Sequence, residues 1–311
     1  VLSLTLDPKA QKKLKDLNNP KKIRLLIGPE GGLSEDEIEN ARLLGFEGIS
    51  LGPRILRTET AALTTLSILG SLFGDLKNYK GYDLWRLYEI TYLNEKGIPK
   101  TAWGKIIVDS SSEFIVESKS LKLYIGSFTM TRFGSLKEVE DIIALDLSNI
   151  LKSKVKVMLY DLETCIFPIV TPTGVLIDNE VQISNISFKE DESLLKYDSK
   201  DIVDETLRSN VLRTLCPVTS QPDHASVIIH YKGRKIDRDS LFAYLCSLRT
   251  HQGFHEQCVE LIYSDIKTLL KPTKLSVLAC FTRRGGIDIN PMRSDENLDD
   301  PNLTVIRTFR Q

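Results

Sequence analysis

Ser226-Val227-Ile228-Ile229-His230-Tyr231 is a short β-branched run, and Leu275-Ser276-Val277-Leu278-Ala279-Cys280-Phe281 is another. Between them, Arg238 to Leu248 and His255 to Leu270 repeat apolar residues at helical spacing. The order is strand, helix, helix, strand. Working outward toward the N-terminus, much of that order recurs. Strands are predicted at Lys105 to Val108 and Phe114 to Val116. Leu121, Tyr124, Ile125 and Phe128 share one helix face, a second helix covers about Leu136 to Leu151, and Lys154 to Tyr160 reads as a strand. From residue 82 onward the expected fold is therefore two similar halves of antiparallel sheet with paired helices. The repeat is read as topological, without strong residue-by-residue identity.

A different grammar precedes it. Ile23 to Gly28 reads as a buried strand and Pro29-Glu30-Gly31-Gly32 as a tight loop. Ser34 and Glu37 form a capping box for a helix that Gly45 ends. Gly48 to Gly52 reads as a short strand, and Thr58 starts an apolar helix running to about Gly74. Strand, loop, helix, strand, loop, helix is the rhythm of a parallel α/β unit.

The chain has 311 residues, a net charge of -1 and 41% hydrophobic content, which suits an ordinary soluble protein of two or three domains. No bulk attraction to nucleic acid or anionic membrane follows from that charge. No apolar run reaches membrane-spanning length, and no signal peptide is seen. Five widely spaced cysteines without a CxxC argue for reduced thiols and a cytoplasmic location. His251, His255 and Cys258 could offer zinc ligands, but Gly253 interrupts the helical spacing and no second ligand pair follows, so no metal is expected.

Chemistry concentrates around Leu215-Cys216-Pro217-Val218-Thr219-Ser220-Gln221-Pro222-Asp223 and Phe254-His255-Glu256-Gln257-Cys258. A thiol, carboxylic acids and an imidazole are the parts of covalent catalysis with a proton donor at hand. Read singly, Cys216 could be a small buried apolar residue, Glu117 and Glu256 first-turn acids, His255 a helix-entry residue, and Lys119 and Lys122 a solvated face. No GxGxxG follows a strand, so a Rossmann site is not supported.

Taken together the motifs resemble the NADPH-dependent 7-cyano-7-deazaguanine reductases, the nitrile reductases of queuosine biosynthesis. Glu117-Ser118-Lys119-Ser120-Leu121-Lys122-Leu123-Tyr124, Cys216 with Asp223, Phe254 to Cys258, and Thr282-Arg283-Arg284-Gly285-Gly286-Ile287-Asp288-Ile289-Asn290-Pro291 follow in that family's order. The match covers about residues 81 to 311 and is similar to the long, two-module form. It implies tunnelling-fold modules, a homo-oligomer such as a dimer, and a small deazapurine substrate. Membrane and nucleic-acid partners are not expected. It also implies a thioimide on Cys216, with Asp223 and His255 as proton donors and Glu117 and Glu256 recognising the base. NADPH is the implied cofactor, with Ser118, Lys119, Lys122, Arg283, Arg284 and Gly285 as candidates to hold it. The long form normally carries a leader before its Tyr-Asp-Leu-Trp region, and here the first segment stands in its place.

That first segment resembles the end of the knotted, SPOUT-type methyltransferases that modify a uridine of small-subunit ribosomal RNA. Leu26-Ile27-Gly28-Pro29-Glu30-Gly31-Gly32 and Leu51-Gly52-Pro53-Arg54-Ile55-Leu56-Arg57-Thr58-Glu59-Thr60-Ala61 carry the likeness. It implies S-adenosylmethionine loops at Gly28, Glu30, Gly31, Leu51 and Leu56. Residues 1–76 hold ten basic and ten acidic side chains, so no excess charge favours RNA phosphates. The head is expected to be inert unless a partner completes it. The expected fold class is α+β: tandem tunnelling-fold modules at 82–195 and 196–311, a junction at 77–81, and a partial α/β knotted segment at 1–76. Nitrile reduction is the expected function. A head-borne methyltransferase and a zinc-dependent tunnelling-fold hydrolase are the alternatives.

Overall fold

The structure is a computed structural model that describes residues 2–17, 23–29, 32–51, 61, 65, 79–163, 168–296 and 306–311. The chain divides into two compact units, Val1–Asn78 and Tyr79–Gln311. Both are mixed α and β.

In the first unit β1 (Leu2–Leu6) lies between β2 (Ile23–Leu26) and β3 (Phe46–Ile49), and both pairings are parallel. β1 was not read from the sequence. The strand expected at Gly48 to Gly52 instead ends at Ile49, and Gly48 pairs with Thr5 inside it. α1 (Glu35–Leu43) begins at the expected capping box: the Glu37 amide donates to Ser34 Oγ at 3.2 Å, and the Ser34 amide donates to Glu37 Oε2 at 2.8 Å. Leu4, Leu14, Leu17 and Ile49 form the core. The helix expected from Thr58 to Gly74 lies outside the described residues except for Ala61 and Thr65, which are helical.

The second unit carries a sheet of nine strands among the described residues. β4 (Lys80–Leu93) and β5 (Pro99–Asp109) make an antiparallel hairpin. α2 (Ser118–Ser127) and α3 (Leu136–Leu151) follow, and β6 (Lys156–Asp161) returns beside β5. After the two-residue β7 (Val175–Leu176), the plan repeats. β8 (Tyr197–Ser209) pairs with β10 (Pro222–Ile236). α4 (Arg238–Ser247) and α5 (His255–Leu270) follow, and β11 (Lys274–Phe281) returns beside β10. β9 (Arg213–Leu215) pairs with the start of β10. β12 (Ile287–Ser294) pairs with both β11 and β4, and so joins the two halves into one sheet.

The repeat goes beyond topology, which corrects the sequence expectation. Tyr124 in α2 donates its hydroxyl to Asp146 in α3 at 2.7 Å, and Tyr244 in α4 donates to Asp265 in α5 at 2.5 Å. Ser127 and Ser247 each donate back to those tyrosines' carbonyls. Both long helices end on a left-handed lysine, Lys152 and Lys271. Each helix pair covers its own core, Val139, Ile143, Leu147 and Leu151 in one and Val259, Ile262, Ile266 and Leu270 in the other.

The strand expected at Phe114 to Val116 is instead an irregular lead-in to α2; Phe114 and Ile115 are exposed, and no strand among the described residues pairs with them. The true partner of β5 is β4, of which only the Tyr82-Asp83-Leu84-Trp85 region stood out in the sequence. Gly81 fixes the β4–β12 junction. Its φ is +148°, and a Cβ there would lie 2.0 Å from the Met292 carbonyl oxygen. Gly81→Ala is expected to destabilise this unit by about 1–3 kcal/mol. Both tryptophans, Trp85 and Trp103, lie in this unit, so their fluorescence during denaturation reads the loss directly. An unchanged midpoint would contradict the β4–β12 register.

Candidate active site

Cys216 follows β9, and residues 216–221 form the loop into β10. The Cys216 amide donates to the Gln221 carbonyl at 2.9 Å, and the Ser220 amide donates to the Cys216 carbonyl at 2.9 Å. Ser220 takes a φ of +55° to close the turn. On the far side, the Leu215 amide donates to the His251 carbonyl and the Gly253 amide to the Leu215 carbonyl. These bonds tie the thiol loop to the segment that starts α5. Local pairing thus brings Cys216 and Asp223, seven positions apart in sequence, into one wall with His255 and Glu256.

The wall belongs to a cavity of about 290 Å³. Its lining includes Cys216, Asp223, His255, Glu117, Glu256, Ser118, Lys119, Lys122 and Arg284, with Trp85, Phe254, Ile287 and Ile289 as apolar surfaces. Residues from both repeats therefore converge on it. Gly285 stands beside it, where a Cβ would press on the Lys122 side chain at 3.2 Å. Arg283 departs from expectation: it is exposed and its guanidinium lies over the Tyr88 ring at 4.4 Å, away from the lining. Neighbouring residues in the extended approach to the turn face opposite ways, so Arg284 and Arg283 cannot both enter.

Asp223 is 4% exposed and sits between the His255 imidazole and the Arg284 guanidinium. Its Oδ2 lies 3.5 Å from His255 Nε2, and its Oδ1 accepts from Arg284, which also donates to Gln221. Burial acts to raise the Asp223 carboxyl, but His255 and Arg284 outweigh it and hold the group below its ordinary value. The imidazole packs on Phe281 with ring centroids 4.0 Å apart.

Burial also acts to raise the Cys216 thiol. Hydrogen bonds from the Thr219 hydroxyl and the amides of Thr219 and Val218 outweigh burial and lower it, with Asp223 opposing. Sequence reasoning gave Thr219 no role. The readable signal was a hydroxyl three residues after the thiol in a tight turn. Thr219→Val is expected to move the pH midpoint of Cys216 alkylation upward, because the thiolate loses a donor. An unmoved midpoint in an iodoacetamide titration would contradict that assignment.

Glu117 caps α2. Its two oxygens accept from the Lys119 amide at 2.8 Å, the Ser120 amide at 2.7 Å and the Ser120 hydroxyl at 2.8 Å. Burial acts to raise this carboxyl, but those bonds and the Lys122 cation hold it below the usual range. Lys122 is itself lowered, by burial first and then by Arg284. Glu256, in the first turn of α5, is 2% exposed, and its Oε1 has no hydrogen-bond partner among the described residues.

The zinc candidates do not gather. His251 pairs with Glu190 at 2.7 Å while His255 faces Asp223, and no group of three or more candidate ligands forms among the described residues. No helix there is long and apolar enough to cross a membrane. In the head, Gly28 is sterically required, since a Cβ would meet the Leu33 amide at 2.8 Å; Leu51 packs against that unit's core. Glu30, Gly31 and Leu56 lie outside the described residues.

Comparison with known proteins gives three family matches. Residues 68–159 match the N-terminal part of the 7-cyano-7-deazaguanine nitrile reductases, and residues 222–300 match the QueF-like proteins. Residues 1–70 match an RNA methyltransferase domain. Among solved structures, a putative methyltransferase of Legionella pneumophila with bound SAM is 49% identical over 22% of this chain and 29% of its own, at a TM-score of 0.22. Ribosomal RNA small subunit methyltransferase E of Neisseria gonorrhoeae, bound to S-adenosyl methionine, is 40% identical over 24% of this chain and 32% of its own, at a TM-score of 0.23. This chain thus spans about a third of those enzymes. An archaeosine synthase QueF-Like in its apo form is 17% identical over 31% of this chain and 94% of its own, at a TM-score of 0.27. Residues 68–159 and 222–300 of this chain are thus similar to the 7-cyano-7-deazaguanine nitrile reductases and the QueF-like proteins, and residues 1–70 are similar to an RNA methyltransferase domain.

Proposed function

We propose that the second unit, read as two tunnelling-fold modules, reduces the nitrile of 7-cyano-7-deazaguanine to the primary amine of 7-aminomethyl-7-deazaguanine. The observation that carries this reading is the convergence of Cys216, the Asp223–His255 pair, Glu117 and Glu256 on one cavity. A nitrile carbon is electrophilic but a poor direct acceptor of hydride. Addition of the Cys216 sulfur converts it to a thioimide, in which the carbon is more readily reduced. The nitrile nitrogen must gain a proton as the C–S bond forms, and Asp223 stands beside the thiol loop to relay it. Arg284 and His255 favour the carboxylate, so Asp223 takes the proton freed as the Cys216 S–H bond breaks and passes it to the nitrile nitrogen, with the imidazole holding the carboxyl in place. Glu117 and Glu256 are acceptors for the N–H edge of a guanine-like base.

The wall also fits a phosphate-bearing cofactor. Lys119, Lys122 and Arg284 are cations on it, and Gly285 leaves the approach to Lys122 unobstructed. NADPH, held there, supplies hydride. Nitrile to amine requires four electrons, hence two hydrides. The expected result is therefore two NADPH oxidised per amine formed, followed by absorbance and by product mass. A one-to-one ratio, or oxidation independent of the nitrile, would refute the reaction.

A further inference from the structure

Arg293 of β12 is 1% exposed and shared among acids from two elements. Its Nη1 donates to Asp83 Oδ1 of β4 at 2.7 Å. Its Nε and Nη2 donate to Glu260 Oε1 of α5 at 3.2 and 2.9 Å. Glu260 lies one helical turn after Glu256, so it is that residue's neighbour along the helix. Three carboxyl groups thus stand around one guanidinium. Asp83 and Glu260 occupy its donors, whereas Glu256, a residue of the cavity lining, has a buried Oε1 with no partner among the described residues. A buried carboxylate with one oxygen unpartnered is costly, and one cation cannot neutralise three anions.

We propose that Glu256 enters the binding cycle as a neutral acid, that Asp83, Arg293 and Glu260 set its charge, and that a base presenting N–H donors expels one proton as it binds. This rests on the deazaguanine reading of the site. The O–H bond of the Glu256 carboxylic acid breaks and its proton passes to solvent. The carboxylate then accepts the ring N–H and the exocyclic amine, and no electrons are transferred. Burial, and next Asp83, push the Glu256 carboxyl up to about 8; its own backbone amide and Arg293 oppose, and Glu260 assists. Other ionisable groups facing the cavity are Cys216, Asp223 and His255 on one side and Glu117, Lys119, Lys122 and Arg284 on the other. Tyr79 stands behind Arg293, held neutral by burial and by Glu260.

Asp83 and Arg293 are positioning residues here, acting through Glu256. The test is calorimetric binding of 7-cyano-7-deazaguanine to full-length Cys216→Ala protein, where no covalent bond contributes. It is run from pH 6 to 8.5 in two buffers of different ionisation enthalpy. The expected result is release of about one proton at pH 6–7 and a Kd that tightens roughly tenfold per pH unit before levelling near the Glu256 value. Asp83→Asn removes a nearby negative charge and is expected to move that break to lower pH. Glu260→Gln is expected to act in the same direction. Tight binding without proton release and without pH dependence would overturn the inference alone. No binding at any pH would overturn it together with the deazaguanine reading.

Discussion

Cys216→Ala protein is expected to lose nitrile-dependent NADPH oxidation by about 10³-fold or more, with its fold intact. The side chain lies in a surface loop whose closing bonds are made by backbone groups, the Cys216 amide and carbonyl, and not by sulfur. Truncation therefore removes the nucleophile and the sulfur that accepts from Thr219 and Val218, but it leaves the two backbone bonds that close the loop. Direct hydride addition to an unactivated nitrile is then the slow route left, because Cys216 supplies the thiol among the described residues that line the cavity. The measurement is steady-state oxidation at saturating nitrile, with denaturation of the variant as a folding control. Turnover at the native rate would end the thioimide role. Loss of affinity alone, with turnover kept, would make Cys216 a binding residue.

Asp288→Ala is expected to cost about 3–5 kcal/mol. Asp288 and Arg86 are both fully buried and pair at 3.2 Å across β12 and β4. Asp288 also accepts from the Tyr88 hydroxyl at 2.6 Å and from the Asn290 amide. Removing the acid leaves a buried guanidinium that still donates to the Ile306 carbonyl. It also strands the tyrosine hydroxyl. Asp288→Asn keeps the shape and some of the hydrogen bonds, so a smaller loss is expected. Tryptophan fluorescence in urea reads both, since Trp85 sits on β4 itself. An alanine variant as stable as the parent would show that this pair contributes nothing net to the seam between the halves.

The long helices were legible because nothing competes with their pattern. α3 and α5 each bury one 3.6-period face; Ser135 caps the start of α3, and Gln257 accepts from the Phe254 amide at the start of α5. β12 was hidden for a physical reason. It buries Asp288, Asn290 and Arg293, and it contains Pro291, all of which argue against a central strand. The proline is tolerated because pairing with β11 covers only Met292 to Ser294, so Pro291 stands just past its end. β4 was obscured by burial on both faces, which erases alternation. β8 was obscured by its many charges.

The site was more legible than the sheet, because its chemistry is unusual for its positions. Cys216, Asp223, His255, Glu117, Glu256 and Lys122 were named from residue type and motif, and all line one cavity. What the sequence concealed was direction and partnership. Arg283 and Arg284 look equivalent in a string of letters, yet one stacks on Tyr88 and the other binds Asp223. Arg293 and Asp83 sit far apart in the chain and meet only because β12 pairs with β4. No local pattern announces such a contact.

Intact-mass measurement of the full-length protein, mixed with 7-cyano-7-deazaguanine in the absence of NADPH, tests the central claim most directly. A gain equal to one molecule of the nitrile, absent from Cys216→Ala protein, is the predicted result. An unchanged mass, or a gain that persists without the Cys216 sulfur, would contradict the account.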